Sequence, residues 1–526
     1  MEKYAEKAGG QAGRKKVMLV LPNHHWATSD QYYTMWLIFP TQICLLAGQL
    51  EGKYDVKVVD CIIDDLSEED FAEIVRKEKP DVVGLSNFTN EYSKAGHKAV
   101  DIVKSVDSSI VTIMGGVYVI ASPEATMANP NLDYAVIGEG EAVFGDLLAH
   151  IFEGKDLPKN GVGYRKDGKT VIQQRADFIQ GLSALKYPAY HLIDFMKYAT
   201  RYGRESTERP RALPYARVRM TRGCPIGCTF CIVESISGGP TRYRSAEHVI
   251  GEMEMLIKNY GIKCFIFDDD NFFMNKHKAE ELLQMIIDRK LNIIWQMPAT
   301  AVFMMDEHTV DLAKASGCVY LNIAIESGSP RVLKEVIKKP INFDRLLRMI
   351  NYIKKVGGID LAANFIIGSP GETYDEILQT IRFAEMIAVD YVKFFISTPL
   401  PNTKMFEMAK KMGYLDDSFK FDEHHWSFGT FNTPHFRSRD LTILRAYEWD
   451  RINFGRPEKK KKVMQMMDVT EERLDEIRRA TREIANPDDK PKARRSNPSR
   501  YYTTKEKPAE EAKMAVLKTA VEATTS

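Results

Sequence analysis

The sequence predicts an α/β protein made of two successive strand–helix series: a doubly wound sheet, then a partial barrel. Three observations carry this expectation. Short β-branched runs recur along the first ~150 residues with helix-length segments between them. The same alternation resumes near residue 213. Hydrophobic residues make up 44% of 526 residues, enough for more than one buried core.

In the first series the expected strands are 17–21, 56–60, 82–86, 110–115 and 134–137, and the intervening helices include 38–52, 68–79 and 92–105. Right-handed crossovers then give a parallel sheet whose ligands lie beyond the carboxyl ends of its strands. Those ends read Pro22-Asn23-His24-His25, Ser86-Asn87-Phe88-Thr89, Gly115-Gly116-Val117-Tyr118 and Gly138-Glu139-Gly140-Glu141. Small and Gly-rich ends let backbone amides approach a large polar ligand. The second series has expected strands at 216–221, 264–268, 293–297, 319–326, 361–367 and 391–397, a partial (βα)6 barrel with its chemistry at the strand C-termini. The resulting organisation is 1–14 as a flexible start, 15–152 as the sheet domain, 153–212 as a connector and 213–405 as the barrel. A helical, aromatic region follows at 406–485, and the Pro-, Lys- and Glu-rich tail 486–526 is expected to stay disordered.

Lys+Arg is 73 against Asp+Glu 72, a formal charge of +1, so neither a nucleic-acid-coating protein nor an acidic scaffold is expected. No apolar run reaches ~18 residues, which argues against a transmembrane helix. The polar first 16 residues lack the apolar core of a secretory signal. Seven cysteines are too few for a disulfide scaffold and odd in number, so a reducing cytoplasm is the expected location and clustered cysteines read as metal ligands.

Such a cluster follows the first barrel strand: Cys224-Pro-Ile-Gly-Cys228-Thr-Phe-Cys231. Three thiolates on a tight loop can hold three irons of a cubane and leave the fourth open. A structural zinc would need a fourth ligand nearby; the loop holds no His, and the next cysteine is Cys264 at a strand start. Cys44, Cys61, Cys264 and Cys318 stand in apolar contexts and read as buried small hydrophobes.

Cys-x3-Cys-x2-Cys with Phe230 before its last cysteine resembles the signature of the radical S-adenosylmethionine (radical SAM) enzymes. The resemblance implies a [4Fe–4S] cluster on Cys224, Cys228 and Cys231 whose open iron is chelated by SAM, which is cleaved to a deoxyadenosyl radical. It extends over ~200 residues. Phe267-Asp268-Asp269-Asp270-Asn271 ends the second strand, where relatives touch the SAM amino group, although many carry Gly-Gly-Glu there. Ile325-Glu326-Ser327-Gly328 ends the fourth, Gly368 lies in the fifth-strand glycine motif Phe365-Ile-Ile-Gly-Ser-Pro-Gly-Glu-Thr373, and Thr398 opens Thr-Pro-Leu-Pro-Asn-Thr403. By resemblance Phe230, Asp269, Asp270, Glu326, Ser327, Gly368 and Thr398 would bind SAM.

The N-terminal half is similar to the cobalamin-binding subgroup of that family. The resemblance implies that Ser86, Gly115, Gly116, Val117, Glu139 and Gly140 cradle the corrin. Corrinoid domains that donate a lower-axial His use Asp-x-His-x-x-Gly; here the segment is Pro22-Asn23-His24-His25-Trp26-Ala27, so no protein imidazole is expected on cobalt. Tyr32, Tyr33 and Trp36 read as equally suited to the corrin or to helix packing, and the run Glu458–Lys462 as a solvated helix start. His424, His425 and Trp426 lie where a substrate lid would sit.

The implied reaction is methylation of a poorly activated carbon of a bulky small molecule, with a bacteriochlorophyll-type tetrapyrrole as first candidate. The aromatic run Phe419, Phe421, Trp426, Phe428 and Phe431 supports an apolar substrate. An external one-electron donor of flavodoxin or ferredoxin type is implied as partner. Two alternatives stand beside it: oxidative cyclisation of a tetrapyrrole without methyl transfer, and a corrinoid sensor or carrier with an inactive barrel.

Overall fold

The structure, a computed structural model, describes residues 13–26, 39–87, 93–201, 206–416, 419 and 426–486. Two parallel sheets organise them. In the first, β1 (Lys16–Leu21), β2 (Asp55–Asp60), β3 (Val82–Ser86), β4 (Val111–Gly115) and β5 (Tyr134–Val136) pair in the order β2-β1-β3-β4-β5. Their side chains alternate between two cores. Val17, Leu19 and Leu21 face the layer that holds Ile43, Ala47 and Phe144, whereas Met18 and Val20 face Phe71, Val75 and Val100. Period-2 alternation with both faces apolar is what a doubly wound sheet requires. The winding reverses between β1 and β3, and the ligand crevice of such sheets opens at the carboxyl ends there. The helices start where the sequence places caps. Glu68–Glu78 begins with a reciprocal Ser67–Asp70 capping box and stops at Lys79, in the left-handed region before Pro80.

The connector expectation needs a correction. Residues 162–172 are part of the sheet: β6 (Val162–Lys166) and β7 (Lys169–Ile172) form a hairpin added antiparallel to β5. Its Asp167-Gly168 turn, both residues at positive φ, is the local signal for a tight hairpin.

The second sheet contains β8 (Tyr215–Val218), β11 (Cys264–Phe267), β12 (Ile294–Thr300), β13 (Cys318–Glu326), β14 (Asp360–Ile367) and β15 (Tyr391–Ile396), all parallel and side by side in chain order. This is the expected open barrel. The expected strand 216–221 breaks after Val218. The amides of Met220 and Thr221 donate to Asp269 Oδ1, and Thr221–Arg222 (β9) turns away to pair with Arg242–Tyr243 (β10). Leu321, Ile323 and Ile325 point to the surrounding helices, which leaves Asn322, Ala324 and Glu326 facing the lumen.

A Glu208 carboxylate, carried by the segment before β8, lies at the lower end of the lumen. It accepts from Asn322 Nδ2 at 2.9 Å and from Lys393. The open edge at β15 is covered from the C-terminal region. Asn453, on the helix Ser438–Phe454, bonds both backbone groups of Val392 at 2.8 Å, and Ile396 N donates to Trp426 O. Covering an edge strand in this way blocks pairing with other chains. No helix among the described residues is long and apolar enough to cross a membrane. The tail beyond 486 lies outside the described residues, as do Tyr32, Tyr33 and Trp36.

Candidate active site at the facing ends of the two sheets

The three thiols stand on the loop between β9 and β10. Gly223 starts it at φ +92, where a Cβ would come within 2.4 Å of Pro240 O, so only glycine closes this root. The loop is tied down on both sides. Cys224 N donates to Gly238 O, and Thr229 donates through N and Oγ1 to Ile337 O and Val336 O at 2.9 and 2.7 Å. Those carbonyls end the π-helical turn Val332–Ile337, whose side chains pack against Phe230. Asn271 Nδ2 and Val233 N each lie 3.5 Å from a thiol sulfur, of Cys224 and Cys231. Burial pushes the Cys228 thiol up to about 12 and the Cys231 thiol up to about 11; Lys339 works the other way on Cys228. Any metal taken up here therefore displaces protons. No three His, Cys, Asp or Glu side chains among the described residues converge as one metal ion requires. Thiols spread round a loop instead suit a cluster in which each iron takes one thiolate.

The barrel strand ends meet this loop. A register shift in β13 between Ala324 and Glu326 leaves Glu326 at φ +74, a strained conformation for a non-glycine residue. Its carboxylate accepts from Lys339 Nζ at 2.9 Å, and both side chains are buried. Lys339 also donates to Ala324 O at 2.6 Å, so a cation is fixed beside Cys228. Sequence reasoning missed Lys339, because nothing near Lys338-Lys339-Pro340 marks one lysine as buried. Asn271 Oδ1 after β11, Thr300 Oγ1 at the end of β12 and Asn364 Oδ1 within β14 are unexposed and have no hydrogen-bond partner among the described residues.

Several residues expected to touch SAM have other work. Asp269 Oδ1 accepts from Met220 N, Thr221 N and Thr221 Oγ1, and Asp270 Oδ2 accepts from Gly223 N at 2.7 Å; both brace the thiol loop. Burial drives the Asp269 carboxyl up to about 7 against those bonds. Ser327 is fully buried and shares a 3.0 Å hydrogen bond with Thr380. Gly368, at φ +78, permits an approach to Leu441 that a Cβ would shorten to 2.4 Å. Thr398 lies half-buried at the end of β15, 3.4 Å from Thr430 Oγ1. Glu326 is at the mouth as expected.

The first sheet brings Ser86 and Gly115 opposite each other at the ends of β3 and β4. Gly116, at φ +110, touches Asn87, whose carbonyl a Cβ would meet at 2.3 Å, and Val117 begins the short helix Val117–Ala121. A Cβ on Gly115 or Gly140 would meet Val136 and Leu46, its nearest described neighbours, no closer than 3.7 Å, and both glycines are half-buried. Glu139 departs from expectation: its four acceptor positions are taken by Arg222, by Arg242 twice and by Ile179 N, at 2.8 to 3.0 Å. Burial opposes its charge, but these donors hold the carboxyl below its ordinary range. It is a bridge to the barrel, and its carboxylate has no acceptor position left for a further donor. Burial keeps His24 neutral, with its pKa lowered to about 4, and His25 Nδ1 is 2.8 Å from Asp65.

The two surfaces face each other. Arg222 after β8 joins Glu139 and Glu141 after β5, and Asn402 after β15 donates to Ala121 O at 2.7 Å after β4. His424, His425 and Phe421 lie outside the described residues. Trp426 packs on Phe395, and Phe431 stacks on Tyr414 in the core. The aromatic run is thus partly packing, and the lumen beside it is polar, with Arg217 bonded to Asp268 at 2.8 Å, Asn364 and Lys393.

These residues fit the groups the resemblance implies. Soft donors and N–H···S bonds suit a cluster, unsatisfied polar atoms at the mouth suit a polar ligand, and open glycines suit a large flat one. Residues 218–384 match the Radical SAM superfamily and residues 38–148 the B12 binding domain. An uncharacterised methyltransferase of Pyrococcus horikoshii is 33% identical over 75% of this chain and 83% of its own. Cytidylyl-2-hydroxyethylphosphonate methyltransferase of Streptomyces wedmorensis is 29% identical, over 80% and 86%. The anaerobic magnesium-protoporphyrin IX monomethyl ester cyclase of Rubrivivax gelatinosus is 27% identical, over 78% and 72%. Among solved structures, the methyltransferase TsrM of Kitasatospora setae, with cobalamin and [4Fe-4S] cluster bound, aligns with TM-score 0.62 at 20% identity over 76% of each chain. OxsB, with aqua-cobalamin and S-adenosylmethionine bound, aligns at 0.67 and 16%, over 89% of this chain and 72% of its own. The chain is an enzyme and belongs to the cobalamin-dependent radical SAM family.

Proposed function

We propose that the chain is a C-methyltransferase that acts on a poorly activated carbon of a small molecule and holds a [4Fe–4S] cluster, SAM and cobalamin. The observation that carries this is the opposition of the thiol-bearing barrel mouth to the glycine-lined ends of the first sheet, with bonds between them on two sides. When bound, the cluster supplies an electron, SAM the hydrogen-abstracting radical and the methyl group, and cobalamin the relay of that methyl. The chain's own residues bind, orient and exclude. Cys224, Cys228 and Cys231 hold the cluster, with Asn271 and the Val233 amide directed at two of the sulfurs. The Glu326–Lys339 pair places fixed charges beside it without free counterions. Gly115, Gly116 and Gly140 offer backbone to the corrin, and Glu208 with Lys393 and Asn322 closes the lumen from below against water.

A tetrapyrrole is the first substrate to test, in keeping with the cyclase relative. The polar lumen, with Asn322 and Asn364 on its strands, favours a substrate that carries polar groups. The test is an anaerobic assay with methyl-deuterated SAM, an electron donor of flavodoxin or ferredoxin type, and tetrapyrrole or cytidylyl-phosphonate substrates. A labelled methyl group in the product, with deoxyadenosine and S-adenosylhomocysteine in comparable amounts, is expected. Deoxyadenosine with hydrogen loss and no methyl gain overturns methyl transfer in favour of the cyclase reading, which the Rubrivivax gelatinosus relative supports.

A further inference from the structure

We infer that Glu139 is a positioning residue that registers the thiol loop against the first sheet, an inference that rests on the reading above for what each side holds. Arg222 and Arg242 stand opposite each other on β9 and β10, the two roots of the loop 223–241. A single carboxylate from the other domain grips both. Glu139 Oε1 accepts from Arg222 Nη1 at 3.0 Å and Arg242 Nη2 at 2.8 Å; Oε2 accepts from Arg242 Nη1 and Ile179 N, both at 2.8 Å. Glu141 takes the remaining arm of Arg222 at 2.7 Å. All four side chains are buried, none more than 10% exposed.

Forked guanidinium–carboxylate pairs fix direction as well as distance. Arg242 also donates to Ser237 O and Ile179 O, so the same side chain holds the returning limb of the loop next to Gly238, the acceptor for Cys224 N. The connector adds a second brace. Phe178 lies beneath the guanidinium groups of Arg175 and Arg242, 3.8 and 4.9 Å from their centres, and Arg175 donates to Ser235 O. Glu139 immediately precedes Gly140 on its own domain. The loop therefore cannot slide over that strand end without separating buried charges, which leaves each uncompensated. A brace for local stability would need one root; this one takes both and crosses between domains, as a device that sets the distance between two bound groups must.

The test compares Glu139→Gln with Glu141→Gln, which removes a bond to one root only. In the chain as purified, amide exchange across 223–241 should rise about tenfold or more in Glu139→Gln and less in Glu141→Gln. In the reconstituted protein, the dipolar coupling between cob(II)alamin and the reduced cluster should report a broader range of distances in Glu139→Gln, with iron and cobalamin contents unchanged. Arg242→Lys keeps the charge but cannot span both oxygens; it should behave in between, and it stands in if Glu139→Gln does not fold. Wild-type exchange in Glu139→Gln overturns the clamp. Faster exchange with an unchanged distance distribution overturns the registering role. Failure of the wild-type chain to load either cofactor overturns the functional reading, while the exchange measurement still decides the clamp.

Discussion

The two sheets present the same feature, the carboxyl ends of parallel strands, and furnish it in opposite ways. At the first sheet the ends are Ser86, Gly115, Gly116 and Gly140, and the nearby carboxylates Glu139 and Glu141 are engaged by the other domain. At the barrel the ends carry thiols, Asn271 and a strained Glu326 beside a buried lysine. A surface of backbone and small residues recognises by shape and amide dipoles, whereas a surface of ionisable side chains recognises by charge and donor chemistry. The contrast teaches where substitutions should act: affinity should suffer at the first sheet, and chemistry at the second.

The largest expected effect is at the thiols. Cys228→Ala should abolish SAM cleavage and lower the iron and sulfide contents from roughly four of each in the reconstituted wild type. Full activity in that variant removes the side-chain half of the comparison. Next is Lys339→Met, which strands the buried Glu326 carboxylate and should cost about 3–5 kcal/mol in denaturant unfolding. Adding Glu326→Gln should return most of that loss; a single variant as stable as wild type would break the assignment of a coupled pair.

Gly116→Ala tests the other half. At φ +110, with Asn87 O in the way, it should cost about 1–3 kcal/mol and weaken cobalamin uptake while iron content stays at the wild-type level. Loss of iron as well would show that the two surfaces are not separable. The EPR spectrum of the cob(II)alamin form should show no nitrogen splitting that depends on His24 or His25. A splitting abolished by His24→Ala or His25→Ala would give the first sheet a side-chain ligand of its own.

The most gradual effect, spread over several pH units, is a pH dependence. Glu372 is fully buried, and burial raises its pKa from 4.5 to about 8 although the Ser369 and Gly368 amides favour its charge; Glu376 raises it and Arg331 lowers it. Between those values the folded chain keeps a proton that the unfolded chain has released. Stability should therefore fall as pH rises from about 4.5 to 8, by at most about 1.4 kcal/mol per pH unit. Glu372→Gln should flatten that slope in urea titrations at several pH values; an unchanged slope assigns it to other groups.

The legible part of the molecule was local. Strands appeared within one or two residues of expectation at 17–21, 82–86, 319–326 and 361–367, because alternation and β-branched runs are properties of neighbours in sequence. The hairpin 162–172 was equally local, marked by Asp167-Gly168, but its short strands are half-polar because one edge meets water. Site residues divided differently. The thiol spacing identified its own chemistry. Ser327 and Gly368, placed correctly at strand ends, turn out to pack on the helices Tyr374–Met386 and Ser438–Phe454.

By itself, then, the sequence determined the two strand–helix series, their succession along the chain and the cysteine loop after the first barrel strand, since each is written in residues that lie close together along the chain. Only the tertiary structure decided that the Glu139 carboxylate holds Arg222 and Arg242, that Asp269 and Asp270 brace the loop, and that Lys339 is the cation beside Cys228. Glu139 and Arg222 are 83 residues apart. A charged side chain lists no partner in its own neighbourhood; burial makes the choice of partner compulsory, and burial exists only once the sheets have met.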